Sequence, residues 1–98
     1  MSRELMWLQE WYKNQCNGDW EHNYGITIKT IDNPGWHITI DLAGTNLETL
    51  HVGYKLIENN EDDWYGYSII NSQFQGSGDP SKLIVIINKF KDIVEGKV

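Results

Sequence analysis

Ninety-eight residues, 11.4 kDa, suffice for one domain spanning 1–98 and not for two, since each half would fall below the size that folds unaided. With 40% apolar and 12% aromatic residues the chain is too hydrophobic for disorder, and area scaling gives roughly 5,800 Å² of surface when folded. Eight basic against fourteen acidic residues, a net charge of −6, exclude a surface built for nucleic-acid phosphates or an anionic membrane, and leave room for a basic partner.

Residues 4–16 read as a helix. Leu5, Leu8, Tyr12 and Cys16 share one face, Trp7 and Trp11 flank it, and Asn17-Gly18 supplies the stop. From Trp20 the period changes to two: Trp20, His22, Tyr24, Ile26, Ile28 and Thr30 fall on one side of a strand, Glu21, Asn23, Thr27 and Lys29 on the other. The turn signal Asp32-Asn33-Pro34-Gly35 leads into a second strand, with Trp36, Ile38, Ile40 and Leu42 opposite His37, Thr39 and Asp41. Pairing Ile28 with Ile40 would merge the apolar sides into one dry face and the polar sides into one wet face. After a polar connection, 43–49, residues 50–57 alternate again and put Val52, Tyr54 and Leu56 together. Residues 58–63 form an acidic turn, 64–74 a fourth strand ending at Phe74, and Gln75-Gly76-Ser77-Gly78 a loop. Asp79 and Pro80 read as the N-cap and first position of a helix whose buried face is Leu83, Ile86, Ile87, Phe90 and Val94. The order α-β-β-β-β-α predicts an α+β, two-layer fold: a four-stranded antiparallel meander with the N- and C-terminal helices packed on one face.

Asp19-Trp20-Glu21-His22 is the densest set of reactive side chains. An extended segment points Glu21 and His22 to opposite sides, so they cannot ligate one ion, and His22 reads as a core histidine. Cys16 is the only cysteine, which excludes an internal disulfide. With no signal-peptide pattern and no run near the ~18 apolar residues of a membrane span, it points to a reducing cytoplasm. On the apolar face at a helix C-terminus, where the dipole disfavours a thiolate, Cys16 reads as a small core residue. Trp20 and Trp36 suit a core, while Trp7, Trp11 and Trp64 fit core and interface equally. The Gly-rich run before the last helix lacks the Gly-Lys-Ser/Thr ending of a phosphate loop. No catalytic, cofactor or metal site emerges. What remains is surface: Glu21, Asn23, Thr27, His37, Thr39 and Asp41 on the wet side of the first hairpin, for contact, and Glu61, Asp62 and Asp63, for steering. Residues 41–63 hold six of the acidic residues against Lys55 alone.

The run Trp7-Leu8-x-x-Trp11-Tyr12-x-x-Gln15-Cys16-x-Gly18-Asp19-Trp20-Glu21-His22-x-Tyr24-Gly25-Ile26 resembles the opening of the immunity protein 53 family. Asp32-Asn33-Pro34-Gly35-Trp36, with Ile40-Asp41-Leu42 and Thr45, is similar to its next block, and Asp63-Trp64, Phe74-x-Gly76-x-Gly78-x-Pro80-x-Lys82-Leu83 to its close. The resemblance implies an antidote in a bacterial polymorphic toxin system, one that binds and blocks a cognate toxin domain and has no catalytic activity; a monomer or weak dimer is expected. It transfers no catalytic or ligand residue. The acidic balance fits a basic toxin such as a nuclease. The competing class is a small enzyme or ligand-binding domain using Cys16 in sulfur transfer or the Asp19–His22 set. The neighbouring reading frame would discriminate the two.

Overall fold

A computed structural model describes residues 2–97. Helix α1 spans Arg3–Gln15; Ser2 caps it by accepting the Leu5 N–H at 3.0 Å. The following segment is not a strand. Trp20–Asn23 form a single helical turn, α2. Asn17 Oδ1 accepts from the N–H groups of Asp19 and Trp20 at 3.0 and 2.9 Å, and the Glu21 carboxylate reaches back to those of Asn17 and Gly18 at 2.9 and 2.8 Å. Two side chains thus satisfy four backbone donors, and this reciprocal cap overrides the period-two pattern. It also leaves His22 exposed, so His22 is not a core histidine.

Five antiparallel strands follow where four were expected. They are β1 Ile26–Ile31, β2 Gly35–Asp41, β3 Val52–Asn60, β4 Asp63–Ile70 and β5 Gln73–Gly78, succeeded by helix α3, Leu83–Val94. The order across the sheet is β1-β2-β5-β4-β3, which is not a simple meander. A β1–β2 hairpin joins a β3–β4–β5 meander through β2 and β5, and residues 42–51 carry the chain to the far edge. The hairpin pairs Ile26 with Ile40 and Ile28 with Ile38, two residues from the Ile28–Ile40 pairing. An even shift keeps each side chain on its expected face.

The expected strand 64–74 is broken at Asn71-Ser72. Both residues are left-handed, φ 55° and 61°, as a type I′ hairpin turn requires. Ser72 is held there by its Oγ, which donates to the Glu48 carbonyl at 2.7 Å, and by its own carbonyl, which accepts the Leu42 N–H at 2.8 Å. The run read as a loop is therefore most of β5. Phe74, Gly76 and Gly78 face the helices. A Cβ on Gly76 would strike the Ile86 side chain, and one on Gly78 would lie 2.7 Å from Lys82 Cβ. Helix α3 crosses β5 so closely that a side chain there has no room.

Nor does Asp79 cap α3, which begins four residues later. Asp79 is 2% exposed and ties three segments together. Its carboxylate accepts from the Trp64 N–H at 2.8 Å, from the Ser81 N–H and hydroxyl at 2.8 and 2.6 Å, and from Lys82 Nζ at 2.8 Å. Lys82 also bridges to Asp63 at 2.7 Å.

The core fills one side of the sheet. Ile38, Ile40, Ile69 and Phe74 meet Ile86, Ile87 and Phe90 of α3 and Leu8 and Trp11 of α1. Phe90 is central, with Trp11 edge-on at 5.0 Å, Trp7 at 5.9 Å and Phe74 tilted at 5.1 Å. Trp7 and Trp11 thus serve the core, as does Trp20, whose Nε1–H donates to the Ala43 carbonyl at 2.9 Å. Trp36 is only half-buried, its Nε1–H donating to the Pro80 carbonyl. Cys16 is exposed at the end of α1 and is not a core residue. Exposed surface totals 5994 Å², close to the scaling value. Among the described residues no helix is long and apolar enough to cross a membrane.

Candidate functional site

With α1 and α3 packed on one side, the other side of the sheet is open. Pairing registers place its side chains in rows. Lys29, His37, Ser77, Gly66 and Leu56 form one row across all five strands, and Thr27, Thr39, Gln75 and Ser68 form the next. Asp41, Gln73 and Ile70 make a third. Tyr54 lies over Gly66, its Cζ 2.8 Å from where a Cβ would stand.

Much of this face is bonded to itself. Gln75 Nε2 donates to Gln73 Oε1 at 2.7 Å, Gln73 Nε2 donates to Asp41 Oδ1 at 3.0 Å, and Asp41 Oδ2 accepts the Gly25 N–H at 3.0 Å. His37 Nδ1 and Ser77 Oγ share a hydrogen bond of 2.7 Å. Burial pushes the His37 pKa down, and the Lys29 ammonium pushes it further, so the imidazole is neutral at pH 7. A Ser–His pair invites comparison with a nucleophile and its base. Among the described residues no carboxylate hydrogen-bonds this imidazole, so the orienting third member is missing.

Of the nine surface residues selected from sequence, the fold brings Thr27, His37, Thr39 and Asp41 onto this open face. Glu21 and Asn23 are not among them, because α2 is helical. Glu21 is occupied by backbone N–H groups, its own first, which hold its carboxyl below the ordinary range. Asn23 Nδ2 donates to the Asp19 carbonyl. Glu21 and Asp41 thus bond to groups of their own chain, and the expectation that Glu21 and Asn23 lie on the strand face beside Asp41 is corrected, because residues 20–23 are helical.

The acidic turn lies at the end of the sheet it shares with the β1–β2 turn and the β5–α3 link. A depression of about 340 Å³ there is lined by Asn33, Pro34, Glu61, Asp62, Asp79, Pro80 and Ser81. Asp63 is not a free charge. Lys82, with help from Asn59, holds its carboxyl below the usual range. Lys82 in turn is raised by Asp63 and then Asp79. Glu61 and Asp62 are the exposed carboxylates of the turn.

Sequence reasoning missed the contribution of β5, Gln75 and Ser77, and of β3. Val52, Tyr54 and Leu56 were expected together, yet Val52 packs toward the core while Leu56 stands on the open face. A register irregularity between Val52 and Lys55 reverses the alternation. Tyr54 and Leu56 are 63% and 51% exposed.

Chemistry elsewhere is sparse. Among the described residues no three His, Cys, Asp or Glu side chains stand close enough to hold a metal ion. Cys16 Sγ faces the Tyr12 carbonyl at 3.4 Å, at the electronegative end of α1. An apolar groove of about 410 Å³ runs between α1 and β1, lined by Leu5, Leu8, Tyr12 and Ile26.

No curated protein and no solved structure matches the chain. The model of the family described as Immunity protein 53 matches residues 5–95. A match over nearly the whole length, on a scaffold with one face closed by helices and one face open, places this chain in the immunity protein 53 family.

Proposed function

We propose that the chain is a cytoplasmic binding inhibitor, which neutralises the cognate toxin domain of a bacterial polymorphic toxin system by occluding it, without catalysis. Membership of the immunity protein family carries this reading. The open sheet face is the surface that suits it. It offers hydroxyl, amide and imidazole groups from Thr27, Thr39, Ser77, Gln75 and His37, bordered by apolar Tyr54 and Leu56 on β3. A stable complex buries about 800 Å² per partner, an area that a five-stranded face can supply. Exposed Glu61 and Asp62 steer a basic toxin, such as a nuclease, toward one end of that face. The protein acts as a monomer or weak dimer.

The test is co-expression with the toxin domain encoded by the adjoining reading frame. Cells carrying both chains survive, and the purified chains form a complex. Thr39→Arg with Gln75→Arg, two bulky changes on the open face, abolishes protection while the circular dichroism spectrum is unchanged. Failure of the folded wild-type chain to protect sinks the reading. Protection by the folded double variant moves the surface elsewhere.

A further inference from the structure

We infer that the edge strand β3 is where the partner docks by strand addition, and that its occupant is an extended, basic segment of the toxin domain. The inference rests on the toxin-binding reading and adds to it a place and a chemistry.

Strand β3 is the longest in the sheet, nine residues, and pairs on one side only, with β4. Every residue after Val52 is exposed. An unpaired edge leaves alternate N–H and C=O groups without partners, and these are a template for another strand. Pairing with β4 is regular from Lys55 to Glu58 and irregular on either side, which marks the length of straight edge available. Apolar groups stand on both faces of that stretch, Leu56 with the open face and Ile57, 39% exposed, with the helix face. An added strand would therefore find an apolar neighbour above and below, the arrangement by which strand addition gains side-chain specificity.

Charge decides the occupant. Between Val52 and Asp63 the chain carries Lys55 against Glu58, Glu61, Asp62 and Asp63, and of these only Asp63 has a lysine partner. The strand and the turn after it thus hold three carboxylates, Glu58, Glu61 and Asp62, with no bonded cation among the described residues, and these favour lysine or arginine on the incoming segment. A second copy of this chain brings its own net charge of −6 and is repelled. The opposite edge, β1, is shorter and has Lys29 as its only charged side chain, so it lacks this bias.

Hydrogen exchange read amide by amide tests the proposal, on the free protein and on its complex with the toxin domain of the adjoining reading frame. The outward-facing amides of Val52–Asn60, fast in the free protein, become slow in the complex. Of the neighbours Leu56 and Ile57, one directs its N–H outward, and proline there leaves the β4 ladder intact. Whichever of Leu56→Pro and Ile57→Pro keeps native exchange in β4 weakens toxin binding about tenfold, the worth of one inter-strand hydrogen bond. Glu58→Lys weakens it further at low salt than at high salt. A complex that forms and protects cells while these amides exchange as in the free protein overturns the inference and leaves the function standing. A free protein that already dimerises with β3 protected overturns it in favour of a second copy. A folded chain that does not bind the toxin at all removes both readings.

Discussion

Replacing Gly76 by alanine probes the crossing of α3 over β5 directly. The added Cβ would collide with Ile86 Cγ2 and lie 3.2 Å from Phe74 Cε2, and both neighbours are fully buried. Overpacking of this kind costs about 1–3 kcal/mol, and the stiffer unfolded chain returns about 0.4–1, so Gly76→Ala loses about 1–2 kcal/mol net. For a chain of this size each kcal/mol shifts Tm by about 4–8 °C, so Tm falls by about 5–15 °C. Ile86→Ala alone removes a fully buried side chain and costs about 2–5 kcal/mol. The double variant loses less than the sum, by about 0.5–3 kcal/mol, because the new methyl enters the space that Ile86 vacates. Urea unfolding followed by circular dichroism supplies the four free energies of the cycle. Gln75→Ala, exposed and on the opposite face of the same strand, is the control and stays within about 0.5 kcal/mol of wild type. Were residues 75–78 a glycine-rich loop, Gly76→Ala would be neutral and strictly additive with Ile86→Ala. Either result refutes the packing described above.

Cys16→Ala changes stability by no more than about 0.5 kcal/mol, since the thiol is exposed, and leaves protection intact; a folded variant that no longer protects would replace binding by thiol chemistry. Asp79 sits far below the carboxyl range, held chiefly by Lys82 and then by Ser81. Its stabilisation is therefore complete above the unfolded value of about 3.9 and is lost as pH falls through the folded value. Asp79→Asn is less stable at neutral pH and loses less on acidification, read as urea midpoints against pH; parallel slopes for the two proteins would rule this out. Glu61→Lys with Asp62→Lys slows toxin association about tenfold at low salt and converges with wild type at high salt, dissociation being unchanged. A salt-independent change in dissociation would instead make these residues direct contacts.

Helix α1, the first hairpin and α3 were legible because their apolar periods run long enough to dominate. The misreadings have specific causes. Residues 20–24 alternate like a strand, but Asn17 and Glu21 are spaced to cap a helical turn, and a cap satisfies donors that alternation alone leaves open. The turn at Asn71-Ser72 lacks the glycine that marks most I′ turns, and Ser72 is held left-handed by contacts with Glu48 and Leu42 that local sequence does not contain. Glycines at 76 and 78 count against a strand on propensity, yet they record how near α3 comes, a fact about another element that no local pattern contains. The sheet order followed from none of these, because β2–β5 pairing joins residues about forty positions apart in sequence. Of the candidate surface, the residues placed by alternation within the hairpin, Thr27, His37, Thr39 and Asp41, stand on the face where they were expected, while Glu21 and Asn23 do not, because their segment is helical. What alternation and charge could not show is that Glu21, Asp41 and Asp63 are already bonded within the chain, to backbone donors, a glutamine and a lysine.

That division of the carboxylates bears on how the open face would bind. Gln75, Gln73 and Asp41 are linked in one chain of hydrogen bonds and His37 is tied to Ser77, so the middle of the face is already ordered before a partner arrives. Ordering a side chain at an interface costs about 0.5–1.5 kcal/mol, and each group held in advance spares that cost. Lys29, Glu58, Glu61 and Asp62 at the margins are exposed and have no such tether, among the described residues. On the toxin-binding reading the two zones act on different rates. The charged margin sets how often the partner arrives, and the ordered centre sets how long it stays. The ordered centre lies on the open face and the charged margin at its edges and end, while the helices pack on the opposite side of the sheet.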